Sequence, residues 1–141
     1  MGLGLVLSIL AAQGCSRAAN GVIRNVLLIT LDTTRADVLS GDEASRKLAP
    51  AIAALAERGV RFPRAYSVAP LTVPAHASLM TGLLPARHGV RDNGIAALPG
   101  SARTLAEILR EQGFDTAAFV SSAVLDRGFG LDQGFELYDQ P

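Results

Sequence analysis

The sequence predicts an α/β fold in which helices pack on a mainly parallel β-sheet. Apolar runs of strand length alternate with segments of helical periodicity, which is typical of layered α/β folds. Two runs, residues 22–31 and 114–122, are short and rich in aliphatic or β-branched side chains, as expected of buried parallel strands. The chain has 141 residues and is 49% hydrophobic, which fits one compact domain.

The first predicted strand follows a polar linker and ends in an acid. Residues 16–21 form the linker, and the apolar run 22–31 stops at Asp32. Residues 22–141 are therefore assigned to one domain.

The next elements are predicted from proline and glycine positions. Residues 49–59 read as a helix, because Pro50 lies in the first turn and Gly59 ends it. Residues 60–68 alternate weakly and are predicted as an edge or irregular strand, since Pro63 has no backbone N–H.

Two further helices are predicted before the second buried strand. Residues 74–80 form a short helix that ends at Gly82, and residues 101–113 form a clearer one, with Ser101 as its cap. The tail, residues 124–141, is predicted as a loop that leads to elements outside the chain. The sequence therefore predicts the N-terminal portion of a larger fold.

Charge and cysteine content exclude several classes of function. Basic and acidic residues both number 13, so the chain lacks the basic field that attracts nucleic acid. The single cysteine, Cys15, excludes an intramolecular disulfide framework and a zinc cluster of cysteines.

The position of Cys15 predicts export. It follows the apolar stretch GLGLVLSILAAQG, which has the length of the apolar part of a secretory signal. Small residues directly before the cysteine resemble a bacterial lipoprotein signal, in which residues 1–15 form the signal segment and Cys15 carries the lipid. The alternatives are an uncleaved signal or a wrongly chosen start with a cytoplasmic product.

Four polar positions are candidates for chemistry, each with a plainer alternative. Asp32 lies at the carboxyl end of a strand, where α/β folds bind ligands, and it either binds a divalent cation or caps the turn after it. Thr72 lies beside the N-terminus of the short helix, so it either faces a bound anion or caps the helix. His76 and His88 are each either ligands or structural residues, and Asn93 is an oxyanion donor or a turn residue.

Taken together, these positions resemble the sulfatase family of the alkaline phosphatase superfamily. NVLLITLDTTRAD resembles the family's first metal-binding strand, and RGVRFPRAYSVAPLTVPAHASLMTGLLPARHGV resembles its nucleophile segment. TLAEILREQGFDTAAFVSS resembles the helix and strand that follow. The resemblance covers roughly residues 24–138 and implies an alkaline phosphatase-like layered fold.

The resemblance assigns roles to three residues of this chain. Asp32 matches the first metal ligand, and Thr72 stands at the position of the nucleophile, which also contacts the metal. TVPAHASLMTGLLPARHGVRDN is similar to nucleotide pyrophosphatase/phosphodiesterases, which implies that Thr72 attacks and that Asn93 holds the oxyanion. The implied cofactor is a divalent metal ion, Ca, Zn or Mn.

The chain departs from the sulfatase pattern at the nucleophile. Sulfatases have Cys-x-Pro-Ser-Arg there, with the cysteine oxidised to formylglycine, whereas this chain reads Thr-x-Pro-Ala-His, and Thr33 stands where many sulfatases have a second Asp. A formylglycine hydrate sheds sulfate by collapsing to its aldehyde, whereas a threonine ester must be cleaved by water. Thr72 therefore fits phosphoryl transfer better than sulfate-ester hydrolysis.

Three hypotheses of function follow. The first is a sulfatase-like, metal-dependent hydrolase of small sulfate or phosphate esters, present here as an incomplete chain that is inactive alone. The second is a phosphodiesterase or phosphatase that uses Thr72. The third is a non-catalytic lipoprotein or binding fragment that keeps the first half of the fold.

Overall fold

A computed structural model of the chain describes residues 23–140. The predicted signal with Cys15 and the linker, residues 16–21, lie outside the described residues. Within residues 23–140, no helix has the length and apolar character needed to cross a membrane.

The described residues form five short α-helices and a two-stranded sheet, joined by loops and 3-10 turns. The helices and strands are α1 (Glu43–Leu48), α2 (Pro50–Arg58), α3 (Thr72–Thr81), α4 (Pro85–His88), α5 (Leu105–Glu111), β1 (Ala117–Phe119) and β2 (Leu137–Asp139). The 3-10 turns are Ala36–Leu39, Ala123–Leu125 and Arg127–Phe129. The helices and the pair of parallel strands confirm the predicted α/β class.

Proline and glycine set both ends of α2 and the C-terminal end of α3 as predicted. Helix α2 begins at Pro50 and is followed by Gly59. Helix α3 ends before Gly82, which has φ 68°, a left-handed conformation that glycine adopts without strain.

The predicted cap of α5 was wrong. The helix begins at Leu105, and Thr104 rather than Ser101 is its N-cap. Thr104 Oγ1 accepts from the Glu107 backbone N–H at 3.1 Å, and the Glu107 carboxylate accepts from the Thr104 N–H at 2.8 Å. This reciprocal pair needs Glu three residues after the cap, which Thr104 has and Ser101 lacks.

The tail is not the loop that the sequence predicts. Strand β2 pairs in parallel with β1, with Ala117 opposite Leu137 and Phe119 opposite Asp139. Tyr138 between them is buried, and its hydroxyl donates to the Leu125 carbonyl at 2.7 Å. The tail therefore supplies the second strand of the sheet and the buried side chain of Tyr138.

Two predicted strands are absent from the sheet that residues 23–140 form. Residues 23–31 run without regular secondary structure and are exposed, and residues 60–68 contain a turn at Pro63 in place of a strand. A strand needs a hydrogen-bonded neighbour along its backbone. Within the described residues, neither segment has one, so an apolar run alone does not produce a strand.

The hydrophobic core lies beyond residue 71. It is formed by α3 and by segments that fold back on it: Val73, Ala77, Val90, Leu98, Ala102, Leu125 and Leu131. Gly134, at φ 90°, lies so close to α5 that a Cβ atom there would overlap the backbone nitrogen of Glu107. The buried side chains listed above hold α3 in place, and α3 carries the candidate nucleophile.

Candidate active site

Thr72 is half-buried and is the first residue of α3, which starts two residues before the predicted Pro74. The cap reading of Thr72 was wrong, because Leu71 takes the N-cap position. The preceding Leu71 is extended, so the chain enters the helix through a sharp change of direction. Pro74 lies within the first turn, where a missing N–H costs no helical hydrogen bond. Val73, Pro74, Ala77 and Ser78 are buried in the core, so α3 holds Thr72 on a fixed support.

Asp32 and Thr72 meet although they are 40 residues apart in sequence. Thr72 Oγ1 donates to Asp32 Oδ2 at 2.9 Å, and the other carboxylate oxygen accepts from the Thr33 N–H at 2.9 Å. Thr33 has φ 54°, which is uncommon for a residue other than glycine and turns the chain sharply after Asp32. One carboxylate oxygen of Asp32 therefore serves the turn after it, as predicted, and the other faces the Thr72 hydroxyl, whereas cation binding by Asp32 stays a prediction.

Asn93 lies at the N-terminus of the same helix. Its Oδ1 accepts from the Val73 N–H at 2.9 Å, and its own N–H donates to Asp92 Oδ1 at 2.7 Å. A backbone N–H requires an acceptor, so the orientation of the Asn93 amide is settled and its Nδ2 carries the donors. The structure thus brings Asp32, Thr72 and Asn93 to the first turn of α3.

The two histidines have different surroundings. His88 is buried, with its Nε2 2.9 Å from Ser78 Oγ and its Nδ1 accepting from the Val90 N–H at 3.1 Å. Burial lowers the pKa of His88 below its ordinary value of 6.5, because the charged ring loses solvent. The structural reading of His88 is therefore confirmed.

His76 lies beside the candidate site. Its Nδ1 is 2.8 Å from the Thr72 carbonyl oxygen and its Nε2 is 3.2 Å from Thr30 Oγ1. Sequence reasoning missed Thr30. The available signal was its spacing from Asp32, because residues two apart in an extended segment point to the same side.

Two charged residues shortly after Asp32, Arg35 and Asp37, form a local ion pair. The Arg35 guanidinium donates to both carboxylate oxygens of Asp37, at 3.0 and 2.5 Å, and both side chains are exposed. Arg35 and Asp37 thus pair with each other, and within the described residues neither side chain forms a hydrogen bond with Thr72.

Asp32 and Thr72 suit a divalent cation in donor type but not in number. Their oxygens are ligands that hard cations prefer. Across residues 23–140, however, no group of three or more His, Cys, Asp or Glu side chains is placed to hold a metal ion. The described residues could thus supply part of a metal site only.

Comparison with known proteins identifies the family. The family model described as Sulfatase matches residues 24–135. A choline-sulfatase of Rhizobium meliloti (strain 1021) is 40% identical over 93 residues, 66% of this chain and 18% of that protein. An arylsulfatase G of Mus musculus is 34% identical over 97 residues, 66% of this chain and 18% of that protein.

A third relative extends the match along this chain. An N-acetylgalactosamine-6-sulfatase of Canis lupus familiaris is 31% identical over 126 residues, 77% of this chain and 23% of that protein. The chain thus spans about a fifth of the length of the curated relatives that it matches. Because the family model covers most of the chain, including the residues that meet at α3, this protein belongs to the sulfatase family of the alkaline phosphatase superfamily.

Proposed function

We propose that this chain carries the nucleophile of a metal-dependent ester hydrolase, and that Thr72 attacks the sulfur or phosphorus of a small sulfate or phosphate ester. The proposal depends on one observation, the 2.9 Å hydrogen bond from Thr72 Oγ1 to Asp32 Oδ2. That contact gives the hydroxyl a defined direction and places an acceptor at its proton.

The arrangement suits in-line displacement. Thr72 Oγ1 forms a bond to the central atom while the bond to the ester's leaving oxygen breaks on the opposite side. The proton of the hydroxyl moves toward Asp32 as the new bond forms. A carboxylate is too weak a base to deprotonate an alcohol fully beforehand, so Asp32 orients the hydroxyl more than it ionises it.

Asn93 and the start of α3 suit the charge on the transferred group. Asn93 Oδ1 is engaged by the Val73 N–H, so its Nδ2 donors are the ones that would face an anionic oxygen. The N-terminus of a helix also favours negative charge. Donors held in place in this way stabilise a transition state without having to reorganise.

A divalent metal ion, Ca, Zn or Mn, is part of this proposal. Asp32 and Thr72 would contribute oxygen ligands to it. When bound, such an ion lowers the pKa of a coordinated hydroxyl and offsets the charge of the transferred group.

Sulfate and phosphate esters remain the two candidate substrates. The three relatives described above are all sulfatases by name, which favours a sulfate ester. The threonine favours a phosphodiester or phosphomonoester, because water must release the group from Thr72 and no aldehyde can form. A phosphodiesterase or phosphatase is therefore the second candidate function.

The test uses the native protein purified from its source cells. Release of 4-nitrophenol from 4-nitrophenyl sulfate and from bis(4-nitrophenyl) phosphate is measured with each metal and with a chelator. Thr72→Val removes the hydroxyl at nearly constant shape and should lower the rate at least about 100-fold, as losing a nucleophile does.

Thr81→Val is the matched control. Thr81 lies in the same helix and its hydroxyl donates to the Ala77 carbonyl at 2.6 Å, away from Asp32. Its removal should leave the rate nearly unchanged. Hydrolysis that survives Thr72→Val would reject Thr72 as nucleophile, and hydrolysis of neither ester would favour the non-catalytic alternative.

The 141-residue chain by itself is expected to show no turnover, because the described residues supply only part of a metal site. Metal-dependent hydrolysis by the purified chain, lost in Thr72→Ala, would contradict that expectation. The proposed export and lipid attachment at Cys15 are tested separately, by the intact mass of the native product and its loss of lipid in Cys15→Ser.

A further inference from the structure

Two hydrogen-bonded pairs join the segment before α1 to helix α3. Thr30 pairs with His76, and Asp32 pairs with Thr72. The lower residue number on the segment meets the higher one on the helix, so the two elements run in opposite directions at this contact.

The spacing of the pairs follows from backbone geometry. Two residues of extended chain advance about 6.6 Å. Four residues of α-helix advance about 6 Å and return to the same face. An extended step from Thr30 to Asp32 would thus match one helical turn from His76 back to Thr72, so both hydrogen bonds can form in a single register.

The protons of His76 follow from its partners. The Thr72 carbonyl only accepts, so Nδ1, 2.8 Å away, must carry a proton. In the neutral ring, Nε2 is then an acceptor, and Thr30 Oγ1 at 3.2 Å donates to it. His76 thus contacts the nucleophile's own carbonyl with one nitrogen and the Asp32-bearing segment with the other.

His88 has the opposite arrangement. Its Nδ1 accepts from the Val90 N–H, so in the neutral ring Nε2 carries the proton and donates to Ser78 Oγ. The chain has only two histidines, so each serves as a reference for the other.

We propose that His76 is a positioning residue, held as the Nδ1–H tautomer by the Thr72 carbonyl and Thr30, which sets the register that brings Asp32 against the Thr72 hydroxyl. The inference about the reaction rests on the proposed function of Thr72. The hydrogen bonds of His76 do not rest on that function, so they are tested by spectroscopy and not by enzyme activity.

The first experiment reads the tautomers in the full chain labelled with ¹⁵N-histidine. Spectra are recorded in the solid state, because self-association of the chain does not interfere there. The pH is chosen so that both rings are neutral. His76 should show a protonated Nδ1 and a bare Nε2, and His88 the reverse. A protonated Nε2 with a bare Nδ1 at His76 would overturn the proposal.

Thr30→Val tests the link to the segment. It removes the donor to His76 Nε2 at nearly constant shape, so the Nε2 signal should shift and the Asp32 carboxyl ¹³C signal should move with it. Thr81→Val, which removes another hydroxyl of α3, should move neither. An Asp32 signal that does not shift in Thr30→Val would show that the Thr30–His76 pair does not affect the Asp32–Thr72 pair.

Two substitutions of His76 separate its two contacts. His76→Asn can keep a donor near the Nδ1 position, whereas His76→Gln reaches the Nε2 position and can accept from Thr30. The Asp32 carboxyl signal should be lost from its native position in the Asn variant and restored in the Gln variant. Equal spectra for both variants would reduce His76 to a structural residue.

Failure of the two proposals can be told apart. If Thr72 is not a nucleophile, native hydrolysis survives Thr72→Val while the tautomers and the Thr30 coupling stay as described. If His76 does not position Asp32, the spectra fail while hydrolysis still depends on Thr72.

Discussion

The N-terminal region, residues 23–70, and the C-terminal region, residues 71–140, differ in what holds them in place. All the buried apolar side chains of the described residues lie in the C-terminal region, from Val73 to Tyr138. In the N-terminal region the buried residue is Ser45, and large apolar side chains such as Leu27, Ile29 and Phe62 are exposed by 83, 66 and 75%.

The candidate site spans the two regions, and polar contacts rather than a shared core join them there. Thr72, His76 and Asn93 belong to the packed region, whereas Asp32 and Thr30 belong to the exposed one. Hydrogen bonds of this kind contribute about 1 kcal/mol each. The nucleophile is thus held firmly and its acidic partner lightly.

The largest expected contrast is between two leucine truncations. Leu131→Ala, at a residue 4% exposed in the core, should lower the free energy of unfolding by about 3 kcal/mol through lost burial and the cavity left behind. Leu27→Ala, at a residue 83% exposed, should change it by less than about 0.5 kcal/mol. Urea unfolding measures both, and equal losses would show that the N-terminal region shares the core.

The next contrast is between the helix caps of the two regions. Thr104 is fully buried, caps α5 and donates to the Gln133 carbonyl at 2.8 Å. Thr104→Val should cost about 2 kcal/mol, because it removes the cap and leaves buried groups unpaired. Asp42, the exposed cap of α1, accepts from the Ser45 N–H at 2.8 Å, and Asp42→Ala should cost clearly less in the same urea assay.

Acid should weaken the C-terminal region through His88. Burial holds the pKa of His88 below 6.5 in the folded chain, so between that lowered pKa and 6.5 the unfolded chain binds more protons. Stability therefore falls as the pH drops below about 6.5, by at most about 1.4 kcal/mol per pH unit. Unfolding midpoints at several pH values measure the slope, and His88→Asn should flatten it.

A charged substitution in the exposed segment 23–31 should have the smallest effect on stability, but it should reduce self-association measurably. The exposed apolar side chains of residues 23–31 form a surface that favours contact with other molecules. Leu27→Lys should change the unfolding free energy by less than about 0.5 kcal/mol yet lower the apparent mass in light scattering. A wild-type chain that is monomeric and melts cooperatively would contradict this expectation.

The site could be predicted further from the sequence than the sheet could. Asp32, Thr72 and Asn93 were predicted to act together because their residue types and spacing resemble a family, and the structure brings their side chains to one helix end. Their roles in catalysis and metal binding stay predictions. The sequence alone does not decide between the two readings of His76, because its contacts include Thr30, 46 residues away.

Helices were predicted better than strands for a physical reason. Pro50 and Gly82 act on the residues next to them, so the ends of α2 and α3 could be read locally. A strand depends on a distant neighbour, and residues 23–31 resemble a buried strand without being paired as one. The three residues of β2 carry too little pattern to be recognised.

The sequence separation within the site sets an order of folding. Buried apolar side chains, including Leu125 and Leu131 far along the chain, hold helix α3 in the core, whereas a hydrogen bond from Thr72 to Asp32 closes a loop of 40 residues. Loop closure costs entropy that a single hydrogen bond repays poorly, so such contacts form after the nearby core exists. We therefore expect the nucleophile helix to be in place first and its acidic partner to arrive last. In a newly made chain, the Thr72 hydroxyl would therefore lack its hydrogen bond to Asp32 until the N-terminal region has docked.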